Sequence, residues 1–187
     1  SVLKNVRIDK NSDSREENER DRLNRVIIDG NTFIDQDFTI ESGFVEMDGT
    51  TLIVGDDLNI YGGLVMEHES DEIIVSDDVF WQNGSWSDVT DGEFEVGGDW
   101  RFYNGIDCEF SDSNIVRFVG TIPSVIYSYS DEASFGALYL DKIVSNTHIH
   151  DYGNNTVQVS GLLNIYPTNE FYVHGNELTV EGMMQLM

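Results

Sequence analysis

Nine residues, Leu52-Ile53-Val54-Gly55-Asp56-Asp57-Leu58-Asn59-Ile60, recur along the chain with their chemistry intact. The pattern is apolar–x–apolar, two small or acidic residues, an acidic residue, then apolar–x–apolar. Copies stand at 32–40, 73–81 and 94–102, and again in looser form at 157–165 and 178–186. Ile34, Val54, Val75 and Val96 are equivalent anchors, and the same step separates Val159 from Val180. The step is about 21 residues, within the range of solenoid repeats. The interval from Val96 to Val159 leaves room for three more units. A unit this short cannot bury its own apolar face, so it has to stack on its neighbours as a solenoid.

The alternation inside each unit says what is stacked. Apolar and polar residues alternate over short runs, and Gly, Asn, Asp and Ser separate the runs, which is strand and turn chemistry. Only two prolines occur, Pro123 and Pro167, both near unit boundaries. Coils of a parallel β-helix lie about 4.8 Å apart. Phe38, Leu58, Val79 and Trp100 then form one inward column. Ile40, Ile60, Trp81 and Phe102 form a second, and Ile34, Val54, Val75 and Val96 a third. The intervening Thr39, Asn59, Phe80 and Arg101 face outward. The expectation is an all-β, single-stranded parallel β-helix of about eight rungs over residues 27–187. A right-handed coil is expected, because a rung of about 21 residues exceeds the hexapeptide-based left-handed type. A β-sandwich is the rival, but it gives no reason for one residue type to return at a fixed step. Residues 103–156 are less regular. There Ile115–Gly120 and Leu138–Ile143 look like drifted units of about 22 residues with longer turns, and Val125–Ser130 lies between them.

Residues 1–26 do not share the repeat and are read as an N-terminal cap or linker. Val2, Val6 and Ile8 suit a short strand. Ser14 with Glu17 matches a helix capping box, and Leu23, Val26 and Ile27 would face the first rung. Five of the seven arginines stand here, Arg7, Arg15, Arg20, Arg22 and Arg25. The chain begins without a methionine and stops inside a unit, as expected of a mature or excised fragment.

Charge narrows the function. Thirty-five acids against ten bases give a net charge of −25. Such a surface repels nucleic acid and anionic membranes. It suits multivalent cations, high salt or plain solubility. No apolar run is long enough to span a bilayer. A single cysteine, Cys108, excludes an internal disulfide framework and reads as an inert thiol. Nucleophile elbows, phosphate loops and dinucleotide fingerprints are absent, so no catalytic residue is assigned.

Three features remain as candidate sites. Asp37, Asp57, Asp78 and Asp99 recur at the repeat's own step and stack into an acidic ladder at one corner. Carboxylates about 5 Å apart repel by up to a few kcal/mol per pair. Either water and salt screen them, or calcium sits between rungs with backbone carbonyls and Asp35, Asp56 or Asp77 as added ligands. Outward aromatics, with Trp86, Tyr103, Tyr127 and Tyr129 foremost, offer rings for stacking a ligand such as a glycan; the alternative is packing along the face. His148 and His150 share one face of a strand, with Asp151 the nearby candidate for a third zinc ligand. The sequons Asn83-Gly84-Ser85 and Asn154-Asn155-Thr156 read as incidental, in turns.

The stretches Val116-Arg117-Phe118-Val119-Gly120, Phe135-Gly136-Ala137-Leu138-Tyr139-Leu140 and Val157–Ile165 resemble parallel β-helix repeat regions of large bacterial cell-surface and secreted proteins, common in Bacteroidota and often exported by the type IX route. The likeness covers about residues 30–187. It implies stalks, adhesins or filament parts at an extracellular or cell-surface location, and it carries no functional residue over. The expected function is a non-catalytic structural or adhesive segment whose open C-terminal rung stacks on further repeats of the same or a partner chain. The alternatives are a polysaccharide-active enzyme, hydrolase or lyase, and a glycan-binding module. A lyase holding an acidic polymer needs bases, and beyond residue 26 there are only Arg101, Arg117 and Lys142.

Overall fold

The computed structural model describes residues 3–9, 25–82, 85–103, 107–129, 132–143, 147–151, 156–167, 169–173 and 177–187. Among the described residues all regular structure is β, and there is no helix long and apolar enough to cross a membrane.

The chain winds through three strands per coil, and every pairing between coils is parallel. One face is an eight-stranded sheet, β3 (Thr32–Ile34), β6 (Thr51–Val54), β9 (Glu72–Val75), β12 (Glu93–Val96), β15 (Ile115–Phe118), β18 (Ala137–Leu140), β21 (Leu162–Ile165) and β24 (Met183–Leu186). The second is an eight-stranded sheet of β1 (Val6–Asp9), β4 (Phe38–Ser42), β7 (Leu58–Ile60), β10 (Val79–Trp81), β13 (Trp100–Phe102), β16 (Ser124–Ser128), β19 (Thr147–Asp151) and β22 (Phe171–Val173). The third face begins with five strands, β2 (Arg25–Ile28), β5 (Phe44–Met47), β8 (Gly63–Met66), β11 (Trp86–Val89) and β14 (Asp107–Phe110). It resumes as three, β17 (Glu132–Phe135), β20 (Thr156–Val159) and β23 (Glu177–Val180), with Phe110 and Phe135 in ring contact across the join. This is a β-solenoid with about 21 residues per turn, as the repeat requires.

Across residues 32–102 the register is the one the periodicity dictates, but the looser copies at 157–165 and 178–186 are out of phase: Val159 and Val180 stand in the third sheet, so these copies span a different corner. Ile34 pairs with Val54, Val54 with Val75, and Val75 with Val96. Phe38–Leu58–Val79–Trp100 and Ile40–Ile60–Trp81–Phe102 are continuous columns, and every member of all three is buried. Sliding one strand by a single residue would turn its apolar set to solvent, so burial locks the stacking. Midway along, Trp81, Phe94, Trp100, Phe102, Phe110 and Phe135 pack as one aromatic cluster, mostly edge-to-face or tilted. Such geometry adds to what area burial alone provides.

Both ends differ from a plain stack. At the N-terminus the sheets extend into the segment read as a cap or linker. β1 pairs with β4 through Val6–Phe38 and Ile8–Ile40, and β2 pairs with β5. Val6, Ile8, Val26 and Ile28 all pack on the core. The expected capping box at Ser14 and Glu17 lies outside the described residues. At the C-terminus Met184 and Leu186 take the register positions of Leu163 and Ile165. They are 54% and 71% exposed, where Leu163 is fully buried.

In the irregular middle the expected longer turns are present. Thr121, Ile122 and Pro123 stand exposed between β15 and β16. Just past this turn the carbonyl of Gly98 accepts from the Ser124 hydroxyl, and that of Gly97 accepts from the Lys142 ammonium at 2.6 Å. Lys142 is only 1% exposed. Its backbone is held in turn by Asn169, which accepts its N–H and donates to its carbonyl.

Candidate functional site

The acidic ladder is the corner between the first and second sheets. Parallel sheets supply N–H partners along straight strands, but at a corner the backbone turns away and an N–H needs another acceptor. Aspartate reaches a neighbouring backbone N–H readily because its carboxylate is only one carbon from the chain. The Asp57 N–H donates to Asp37 Oδ1 at 3.3 Å, Asp78 N–H to Asp57 Oδ1 at 3.0 Å, and Asp99 N–H to Asp78 Oδ1 at 2.8 Å. The last step is Val125 N–H to Asp99 Oδ1 at 2.8 Å. The first is made by an uncharged residue, with Asp37 N–H donating to Asn5 Oδ1 at 3.3 Å. All four predicted aspartates therefore come together, each tying its coil to the next.

The charges are unevenly compensated. The Arg101 Nη2 lies 3.2 Å from Asp78 Oδ2 and 2.8 Å from Asp99 Oδ2, bridging the upper two rungs. Its guanidinium is sandwiched between Phe80, 5.1 Å away, and Tyr127, 4.9 Å away. Burial pushes the Asp57 and Asp78 carboxyls above the usual range; repulsion within the ladder adds to this, while the N–H donated from the next coil works against it. Among the described residues no three His, Cys, Asp or Glu side chains converge as they would around a metal ion. The auxiliary acids Asp35 and Asp77 point to solvent.

The predicted aromatic residues divide between two faces. Tyr103, Tyr127 and Tyr129 lie together on the second sheet. Tyr103 and Tyr129 stack at 5.0 Å with planes 9° apart, and Tyr127 lies 6.4 Å from Tyr129 at 12°. The stacked rings cover one another's faces, and the Arg101 guanidinium lies over Tyr127, so little open ring face is left for a ligand.

Trp86 is on the third sheet. Its register partner is Gly63, beyond which lies Phe44. A Cβ on Gly63 would come within 2.2 to 2.8 Å of three neighbouring indole atoms, so the ring rests on that glycine. Its rim meets Phe44 at 5.4 Å with a 58° tilt.

The imidazoles of His148 and His150 and the thiol of Cys108 lie outside the described residues, as do parts of both sequons. Two residues that no sequence pattern connects to a site prove central. Lys142 plugs a corner, and Arg101 bridges the ladder. The signal for the first was its isolation: it is the sole lysine after Lys10.

No family profile, curated protein or solved structure matches the chain.

Proposed function

We propose that the chain is a non-catalytic structural or adhesive segment of an extracellular or cell-surface protein, serving as a rigid acidic rod. The carrying observation is the use to which the ladder is put: its carboxylates accept backbone N–H bonds from coil to coil. Carboxylates occupied in this way stabilise coil stacking rather than wait for substrate. The net charge of −25 keeps such rods apart laterally, while the apolar C-terminal coil favours end-on contact with further coils, of this or a partner chain. The resemblance to repeat regions of Bacteroidota surface proteins exported by the type IX route agrees with this role.

The rival is a polysaccharide-active enzyme on the same scaffold. Incubation with neutral and acidic polysaccharides, with calcium or with chelator, separates the two when new chain ends and retention are both scored. The expected result is no new chain ends under any condition with a folded sample. New chain ends would overturn the structural reading and make the ladder a catalytic suspect.

A further inference from the structure

We propose that Trp86 is the platform of a binding subsite for a neutral glycan. Independent of the structural role above, this subsite rests on the outer surface of the third sheet. Two outward columns run there, Arg25–Phe44–Gly63–Trp86 and Ile27–Glu46–Val65–Asp88, with Asp107 and Glu109 next in register beyond Trp86 and Asp88. The indole of Trp86 lies on Gly63 with one face, and the side chain is 38% exposed. A side chain at position 63 would lift the ring off the sheet, so glycine there is what lets the indole lie down. Phe44 tilts against its rim and extends the apolar surface. Val65 is buried in the floor of the neighbouring column.

The flanking groups select the ligand. Asp88 is exposed two residues along the same strand, about 7 Å from Trp86 on the same face. Glu46 stands across Val65 from it, held by Arg25 at 2.7 Å. Ionised carboxylates only accept hydrogen bonds, so the ligand must bring donors. A pyranose does both jobs: its C–H face packs on the indole while its hydroxyls donate to Asp88. An anionic polymer is repelled by the acidic surface. A quaternary ammonium gains most when aromatic rings enclose it, and Trp86 with Phe44 makes an open shelf.

The protein carries its own reporter. Of three tryptophans, Trp81 and Trp100 are fully buried and only Trp86 meets solvent. Titration with hexasaccharides of β-1,4-linked glucose, xylose and mannose should change the emission and protect it from acrylamide quenching. A polygalacturonate hexamer and tetramethylammonium should do neither. Trp86→Ala, assayed by retention on the corresponding insoluble glycan, should weaken binding roughly tenfold or more, in line with the loss of an aromatic contact. Asp88→Asn should weaken it less and leave melting unchanged. Gly63→Ala should weaken it without altering any group that touches the sugar. No response to any hexasaccharide, retention that survives in Trp86→Ala, or a response to tetramethylammonium alone would each overturn the proposal.

Discussion

Asn5 accepts the N–H of Asp37, and aspartates accept the equivalent N–H at each later coil of the ladder, so hydrogen bonding at this corner does not require charge. The carboxylate form adds burial cost and mutual repulsion, which is why the pKa values of Asp57 and Asp78 are raised. Asp57→Asn keeps the acceptor and removes the charge. It should unfold at the same or higher denaturant concentration than wild type at neutral pH. Asp57→Ala removes the acceptor and should cost about 1–2 kcal/mol. If the asparagine variant falls as far as the alanine one, the charge itself is in use, and a bound cation becomes the first suspect. A raised pKa means that the folded state holds the proton more tightly than the unfolded chain. The resulting stability is fully present below the ordinary aspartate range and fades as pH rises through the raised values. Lys142 is the opposite case. Burial lowers its pKa from 10.5 to about 8, with Asp99 pulling the other way. The folded state therefore releases this proton first, and stability should rise between pH 8 and 10.5. Denaturant midpoints across that range should show the rise in wild type and its absence in Lys142→Met.

The turns between strands separate what local chemistry decides from what distance decides. Gly136 follows Phe135 at a corner where the preceding coil leaves no room: a Cβ there would sit 1.7 Å from the Ser111 carbonyl oxygen. Gly136→Ala should therefore force two coils apart and cost about 3 kcal/mol or more. Gly120 has a φ of +90° but open space around it, so alanine should cost about 1 kcal/mol from conformation alone. Gly30 has neither constraint, and alanine there should be neutral within about 0.5 kcal/mol. Thermal unfolding of the three variants should rank them in that order; a costly Gly30→Ala would mean the corner geometry is misjudged. The inward columns were legible in the sequence because residue period and coil length agree, so Val54 announces Val75 and Val96 by spacing alone. The ladder was legible for the same reason, but its use was not, since Asp and Asn accept a backbone N–H equally well. Lys142 was illegible because its acceptor, the Gly97 carbonyl, is 45 residues away along the chain and belongs to another coil. The grouping of the aromatics was half legible. Alternation placed them outward, but which of the three outer faces each occupies depends on where the corners fall. That put Trp86 on a different sheet from the tyrosines.

A solenoid's stability is nearly one-dimensional, a sum over coils and the interfaces between them. Its ends and its middle should therefore differ measurably. The central coils carry the aromatic cluster around Trp81, Trp100 and Phe102, while the last coil exposes Met183, Met184 and Leu186 at 65%, 54% and 71%. Amide hydrogen exchange should be slowest in β10, β12, β13 and β15 and fastest in β22, β23 and β24. Substitution resolves whether the terminal coil is bare in solution. Leu163→Asp places a charge in a fully buried column and should cost about 4 kcal/mol or more, melting the coils that follow it. Met184→Asp, its register neighbour, should cost little if nothing covers it. A large loss at Met184, with a sedimentation coefficient above that of a monomer, would instead mean that the apolar end is already occupied by another copy. In that case slow exchange should reach β24, because an added coil pairs the edge that is otherwise left open.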